Sequence, residues 1–313
     1  MFIVGSGEYV PARIVDNLHF SQLTGRAVDW FAQRTGIRER RRAGADENVN
    51  SMAMAAVRSL ASSGVGLTGV DLVIAVSYTP LDTIATLAHV VQREFALRNA
   101  RALYVSTACS SFMDALDIAQ AYIDARRAHK VLVVASEHNS AFARDEDEMS
   151  GHLWGDGAAA VLLSAAPARS HFEVLDVQTR GLAWLGEGTT SISLNPAAAG
   201  LVMRNGKQVF AHACHEMANE TREILQRNAL DISQIRLLVP HQANKRIIDH
   251  VADDLGVPPE RAAVTISELG NTGCASVAIT LHRYAHTVKA GEYVVLVTFG
   301  GGFSSGAALL RRC

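Results

Sequence analysis

The chain contains five short, uninterrupted runs of apolar residues, which are typical of strands buried on both faces of a parallel sheet. The runs are residues 72–76, 131–135, 159–163, 237–239 and 294–297. Segments with the period of an amphipathic helix lie between them. The pattern therefore predicts an α/β protein with a buried, largely parallel sheet.

Two of the predicted helices carry apolar residues at the same spacing, which places them on one helix face. The first set is Phe112, Leu116, Ala119 and Ile123, and the second is Val277, Leu281, Tyr284 and Val288. A short turn and a buried strand follow each helix. We interpret this as an internal duplication with halves at residues 1–166 and 167–313; the alternative is a chance coincidence of two crossovers. No flexible linker separates the halves, so we expect one shared core, with the small-residue-rich segment 184–206 as a loop.

The 313 residues are 49% hydrophobic and 19% charged, with a formal net charge of −2, so the chain can bury a sizeable core. This charge balance argues against a protein whose main task is to bind nucleic acid or an anionic membrane. No apolar run reaches the length of about 18 residues that a membrane span needs, and the first residues do not resemble a signal peptide. We therefore expect a soluble, cytoplasmic protein.

Cysteine usage points to one candidate nucleophile. The four cysteines, Cys109, Cys214, Cys274 and Cys313, lack the spacing of a disulfide framework or a zinc site. Cys109 stands at the start of the first amphipathic helix, where unpaired N–H groups and the helix dipole favour a thiolate. It is a candidate covalent nucleophile, although a buried structural cysteine is the more common occupant of such a corner.

Three further positions are candidates for the same site. His241 follows the buried run 237–239 and so stands at the carboxyl edge of a strand, where open α/β sheets place their sites. Asn271 precedes the second amphipathic helix at the place that corresponds to Cys109. The glycine triplet 300–302 ends another buried strand and lets backbone N–H groups approach a ligand closely. Taken singly, His241 also fits a structural histidine, Asn271 an ordinary turn residue, and the glycine triplet a plain turn.

Together these residues resemble the condensing enzymes of the thiolase superfamily, specifically the β-ketoacyl-acyl carrier protein synthase III family. The resemblance runs over nearly the whole chain and rests on six motifs in the right order. They are residues 30–40 (WFAQRTGIRER), 108–112 (ACSSF), 154–158 (WGDGA), 240–244 (PHQAN), 270–272 (GNT) and 299–303 (FGGGF). The resemblance implies a thiolase-like fold, with two pseudo-twofold-related βαβαβαββ halves that form a layered α-β-α-β-α core.

The resemblance also implies a catalytic triad of Cys109, His241 and Asn271. An acyl-CoA would acylate Cys109, and the backbone N–H groups of Cys109 and Gly302 would form the oxyanion hole. A malonyl thioester, on acyl carrier protein or on coenzyme A, would then lose CO2, and His241 and Asn271 would stabilise the resulting enolate. Coenzyme A is a substrate in this scheme, and no metal or organic cofactor is expected.

Several residues match the substrate and coenzyme A contacts of that family. They are Trp30 and Arg34 for the adenine, Trp154 for the acyl pocket, Gly206 and Phe210 on a strand beside the pantetheine arm, and Asn244 and Arg246 for the pantetheine channel and phosphates. The family is homodimeric, so the resemblance implies that residues 102–105 continue one sheet into a second copy of the chain.

The sequence departs from the family pattern at several positions. Ser111 replaces a glycine after the nucleophile, Trp154 replaces a phenylalanine, and Asn139 and Ile84 replace apolar and aromatic residues of the acyl pocket. Acids at 145–148 and 253–254 stand where basic residues are usual, which predicts weak docking of an acidic carrier protein.

Three functions therefore remain open at this point. The first is a decarboxylative ketosynthase for fatty-acid initiation or a related natural-product pathway. The second is an acyltransferase that passes the acyl group to a hydroxyl or amine without forming a carbon–carbon bond. The third, a non-catalytic partner subunit, is disfavoured because all three triad residues are present.

Overall fold

The computed structural model describes residues 1–167, 171–195, 197 and 200–313. The strands are β1 (Phe2–Tyr9), β2 (Arg13–Asp16), β3 (Glu39–Arg42), β4 (Leu72–Val76), β5 (Arg101–Val105), β6 (Lys130–Glu137), β7 (Gly157–Ser164), β8 (Phe172–Gly181), β9 (Ile192–Asn195), β10 (Gly200–Met203), β11 (Ile235–Pro240), β12 (Tyr293–Gly300) and β13 (Ser304–Arg312). The helices are α1 (Asn17–Thr24), α2 (Val28–Thr35), α3 (Val49–Ser62), α4 (Leu87–Glu94), α5 (Ser111–Asp124), α6 (Gly188–Ser191), α7 (Gly206–Arg227), α8 (Lys245–Leu255), α9 (Ile266–Leu269) and α10 (Ser276–Tyr284).

Nine strands form one hydrogen-bonded sheet in the order β11-β12-β13-β8-β1-β7-β6-β4-β5. All five predicted runs lie in these strands. One prediction was wrong in direction: residues 159–163 of β7 run antiparallel to both β1 and β6. The run is continuously apolar because both faces of β7 are buried, and burial on two faces produces the same pattern in either strand direction.

The helices form layers on either side of the strands, as the thiolase-like fold predicts. In the first half, α3 and α4 cover the outer face of the sheet. In the second half, α7 and α8 cover the outer face. Between the halves, Phe112 and Leu116 of α5 share an apolar core with Val277 and Leu281 of α10. The two helices with matching apolar spacing thus form the central layer.

Within the sheet, the strands of the two halves join through a short pairing of Phe2 and Ile3 of β1 with β8. The second half does not repeat every strand of the first at full length. At the place that corresponds to β5, the described residues form an isolated bridge between Leu238 and Ala262. Residues 168–170, next to the predicted boundary between the halves, lie outside the described residues, and the duplication stays a prediction.

The segment 184–206 differs from the predicted loop. It contains α6 and the antiparallel pair β9 and β10, while positions 196, 198 and 199 lie outside the described residues. The strand expected to carry Gly206 and Phe210 is instead the start of α7, because the Asn205 side chain caps the helix by accepting from the N–H of Gln208 at 3.2 Å.

Candidate active site

Cys109 lies in a tight turn immediately before α5. Its neighbour Ala108 has a φ of +52°, a left-handed conformation that is costly for a residue other than glycine. Ser111 closes the turn, since its Oγ donates to the carbonyl of Ala108 at 2.6 Å and accepts from the N–H of Thr107 at 2.8 Å. The serine that replaces the usual glycine therefore holds the nucleophile's turn in place.

The expectation that the helix start favours a thiolate at Cys109 was wrong for this state of the protein. Burial raises the pKa of the Cys109 thiol to about 12, and the nearby Glu137 carboxylate raises it further. The backbone N–H of Gly301 and the hydroxyl of Tyr78 act in the opposite direction. Desolvation outweighs these donors, so the thiol holds its proton before a substrate arrives.

The glycine triplet packs against the nucleophile. A Cβ on Gly300 would lie 2.9 Å from the backbone nitrogen of Cys109, a distance that real side chains do not reach. Only glycine therefore permits this approach. The N–H of Gly301 lies near enough to the thiol to lower its pKa. The oxyanion-hole role of Gly302 stays a prediction, and Gly301 is a second candidate for it.

His241 follows β11 directly, and its N–H donates to the carbonyl of Val297 on β12 at 2.8 Å. Its Nδ1 lies 2.7 Å from the Oγ of Ser276, which also receives the N–H of Gln242 at 3.4 Å. With the serine hydroxyl assigned as the donor to Nδ1, the ring carries its N–H at Nε2. Burial lowers the pKa of His241 to about 4, so the ring is a neutral hydrogen-bond donor.

Asn271 is oriented by its own turn. The N–H of Gly273 donates to Asn271 Oδ1 at 2.9 Å, and the backbone N–H of Asn271 donates to the carbonyl of Leu153 at 2.8 Å. Because Oδ1 is held in this way, the Nδ2 amide group is the end that can donate to a ligand.

The three predicted triad segments meet around residues that the sequence analysis missed. A Cβ on Gly273, in the turn after Asn271, would clash with Tyr78 Oη, and that hydroxyl also influences the pKa of Cys109. Ser276, the partner of His241, begins the helix that follows the same turn. Tyr78 lies just beyond the carboxyl end of β4, where α/β sheets place functional residues, and that position is the signal that could have found it.

Glu137 is buried beneath the loop that carries Tyr78. Its carboxylate accepts from Ser77 Oγ at 3.0 Å, from Thr79 Oγ1 at 2.6 Å and from the N–H of Tyr78 at 3.1 Å. Burial raises the pKa of Glu137 to about 7. This acid therefore holds the loop in position and adds negative charge near Cys109.

A groove of about 700 Å³ brings together six of the seven predicted substrate-binding residues. They are Trp30, Arg34, Gly206, Phe210, Asn244 and Arg246. The Arg34 guanidinium lies 5.3 Å from the centre of the Trp30 ring, too close for a flat base to lie between them. A base can lie between Trp30 and Arg34 only after that guanidinium moves aside.

Arg26 and His152, which the sequence analysis missed, complete the end of the groove near Trp30 together with Glu148. Arg26 lies 5.3 Å above the Trp30 ring and pairs with Glu148 at 2.8 Å. His152 packs edge-on against Trp30, and burial lowers its pKa to about 4.

Two of the acids expected to repel a carrier protein form ion pairs within the chain. Asp145 pairs with Arg42 at 2.7 Å, and Asp254 pairs with Arg222 at 3.0 Å. Weak docking of an acidic carrier protein stays a prediction.

Trp154 is the predicted substrate residue that does not line this groove. It is buried among apolar residues of the cluster around Ile37 and Ile248 and forms a backbone bridge with Asn271. Asn139 supports the same bridge by donating Nδ2 to the carbonyls of Gly155 at 2.8 Å and Asn271 at 3.1 Å. The side chain of Ile84 is 87% exposed in the single chain and does not line the groove.

No helix in the described part of the chain is long and apolar enough to cross a membrane. Within the same residues, His, Cys, Asp and Glu side chains do not form a group of three or more that could hold a metal ion.

Comparison with known proteins assigns a family to this site. Residues 104–181 match the model of 3-oxoacyl-[acyl-carrier-protein] synthase III, and residues 225–312 match the model of its C-terminal part. The chain is 34% identical over 312 residues to β-ketoacyl-[acyl-carrier-protein] synthase III of Aquifex aeolicus, with 99% of this chain and 98% of that protein covered. The Methylococcus capsulatus protein of the same name is 36% identical over 323 residues, with the same coverage of each chain.

Solved structures agree with these matches. The crystal structure of the Aquifex aeolicus synthase superposes with a TM-score of 0.92 at 31% identity and covers 99% of both chains. The priming β-ketosynthase of the R1128 polyketide pathway gives 0.90 at 31% identity, with 99% of this chain and 96% of that chain covered. The fold, the motifs and the whole-length similarity together mean that this chain belongs to the β-ketoacyl-[acyl-carrier-protein] synthase III family.

Proposed function

We propose that this protein transfers an acyl group from coenzyme A to Cys109 and condenses it with a malonyl thioester to give a β-ketoacyl product. The observation that supports this best is the pair of neutral donors, His241 Nε2 and Asn271 Nδ2, each held by a hydrogen bond to its other polar atom. Enolate stabilisation needs two such donors and does not need a group that takes up a proton.

In the first half-reaction, the Cys109 sulfur attacks the thioester carbonyl of acyl-CoA. The N–H groups of Cys109 and of Gly302 or Gly301 hold the oxygen as it becomes negative. The carbon–sulfur bond to coenzyme A then breaks, and the thiol proton of Cys109 leaves with the coenzyme A sulfur. Burial raises the pKa of this thiol, and in the proposed step the thiol loses its proton as the sulfur attacks.

In the second half-reaction, the malonyl carboxylate leaves as CO2 and its electron pair forms an enolate on the thioester oxygen. His241 and Asn271 donate to that oxygen. The enolate carbon attacks the acyl carbonyl on Cys109, the carbon–sulfur bond breaks, and the cysteine sulfur takes a proton from water. Neither half-reaction draws on a metal or an organic cofactor.

The groove suits coenzyme A because it combines an aromatic face with cations. Trp30 offers a surface for the adenine, while Arg34, Lys207 and Arg246 offer charges for phosphates. The curated relatives are named for acyl carrier protein, and we propose that the malonyl group arrives on that carrier or on coenzyme A. The acyltransferase alternative is not favoured by the family assignment.

The proposal is tested by giving the purified protein an acyl-CoA, removing the excess, and adding a malonyl thioester. Intact mass should show one acyl group on the protein after the first step. The second step should then release CO2 and a β-ketoacyl thioester, and return the protein to its original mass. Discharge of the acyl group to a hydroxyl or amine acceptor, without CO2 release, would support the acyltransferase instead.

We further propose that the protein is a homodimer that pairs through β5. This strand is at the edge of the sheet and pairs with β4 alone among the described strands, and an open edge strand readily pairs with another chain. We expect light scattering at micromolar concentration to give twice the mass of the chain. Successive N–H groups of a strand alternate between its two edges, so one of the variants Ala102→Pro and Leu103→Pro removes an N–H from the open edge. That variant should shift the mass toward that of the monomer, while a monomeric wild-type protein would refute the proposal.

A further inference from the structure

Two side chains near Cys109, Tyr78 and Asn139, have no part in the proposed mechanism. Tyr78 follows β4, and its N–H is fixed by the Glu137 carboxylate at 3.1 Å. Its ring is partly open, while its hydroxyl oxygen is buried. Asn139 follows β6 and is completely buried. The Tyr78 hydroxyl lies close enough to influence both the Cys109 thiol and the Asn139 side chain.

One polar atom of each side chain is left without a hydrogen bond. Within the part of the chain that the structure describes, neither Tyr78 Oη nor Asn139 Oδ1 has a partner of acceptable geometry. The amide orientation of Asn139 is nevertheless fixed, because its Nδ2 donates to the carbonyls of Gly155 and Asn271. The unpaired atom of Asn139 is therefore an acceptor, and the Tyr78 hydroxyl is a donor.

A buried donor and a buried acceptor without partners are unfavourable in the empty protein, and such groups in native structures point to a ligand or water. A hydroxyl group satisfies both at once, because it accepts from Tyr78 Oη and donates to Asn139 Oδ1. A keto oxygen satisfies Tyr78 alone, and a methyl group satisfies neither.

The charge around the pair argues against an acyl group that carries a carboxylate. Glu137 lies under the Tyr78 loop, and its negative charge opposes ionisation of both Tyr78 and Cys109. A second carboxylate here would meet the same repulsion. A neutral group therefore suits this pair best.

We propose that this protein selects acyl groups with a hydroxyl on the second or third carbon, and that Tyr78 and Asn139 determine this selectivity. The inference rests on the proposed function, because it requires the acyl group to sit on Cys109. The bond changes are those of the first half-reaction and are the same for acyl groups with and without the hydroxyl.

The test compares acyl-CoA pairs that differ by the hydroxyl: propionyl- with lactyl-CoA, and butyryl- with 3-hydroxybutyryl-CoA. Acylation rates of Cys109 are followed by intact mass at subsaturating substrate. We expect the hydroxylated member of at least one pair to react about tenfold faster or more. Tyr78→Phe keeps the ring and should bring the ratio close to one, mainly by slowing the hydroxylated substrate.

Tyr104→Phe is the matched control, since it removes a hydroxyl that donates to the carbonyl of Ser77 at 2.6 Å on the neighbouring strand; it should keep the wild-type ratio. Asn139→Leu removes the acceptor and should favour butyryl-CoA. Equal rates within both pairs, a preference for succinyl-CoA, or an unchanged ratio in Tyr78→Phe would each overturn the inference. If no CoA thioester acylates Cys109, the proposed function fails instead.

Discussion

Replacing Cys109 with alanine should abolish uptake of the acyl group from acyl-CoA and, with it, all β-ketoacyl product. The sulfur is the atom that forms the new thioester, so no other side chain can substitute for it. The loss should be complete within the detection limit of intact mass. The methyl side chain fits the same turn, because Ala108 and Ser111 rather than the thiol fix its backbone, and the variant should fold normally.

The other cysteines provide the controls for this experiment. Cys214 is buried on α7, in an apolar cluster of the second half, and Cys313 is the exposed last residue. Cys214→Ala and Cys313→Ala should therefore take up the acyl group at the wild-type rate. A peptide map that places the acyl group on either residue would disprove the nucleophile assignment.

Most of the fold could be predicted from the sequence, because a strand that is buried on both faces has a continuous run of apolar residues. Leu72 and Ile74 face the central layer, while Val73 and Ala75 face the outer one, and all of them have to be apolar. The same logic cannot report strand direction, which is why β7 was expected to be parallel. The helix α7 begins at Gly206 because the Asn205 side chain caps it with a local hydrogen bond. The pattern of apolar residues does not reveal such a cap.

The site was predicted less completely, since its electrostatics depend on burial. A cysteine beside a helix start suggests a thiolate, yet desolvation raises its pKa to about 12. The sequence shows neither how deeply the thiol is buried nor that Glu137 lies near it. The choice between Gly301 and Gly302 depends on which N–H turns toward the sulfur, and within a glycine triplet the sequence does not distinguish them.

His241→Ala and Asn271→Ala should separate the two half-reactions. Neither side chain takes part in forming the acyl-cysteine in the proposed mechanism, so both variants should still gain one acyl group from acyl-CoA. Each variant loses one donor to the enolate oxygen, and loss of one comparable donor costs roughly 10²–10³ in rate. We therefore expect CO2 release from malonyl thioester to fall by that factor, measured with labelled malonate on the pre-acylated protein.

The exposed residues His286 and Asn99 serve as matched controls, and their alanine variants should release CO2 at the wild-type rate. Ser276→Ala is a finer probe, because it leaves the His241 ring in place and removes the group that fixes its tautomer. If His241 acts as a neutral Nε2 donor, this variant should slow decarboxylation more than acylation. Unchanged CO2 release in both His241→Ala and Asn271→Ala would exclude the enolate role, and a loss of acylation in His241→Ala would instead identify the histidine as the base for Cys109.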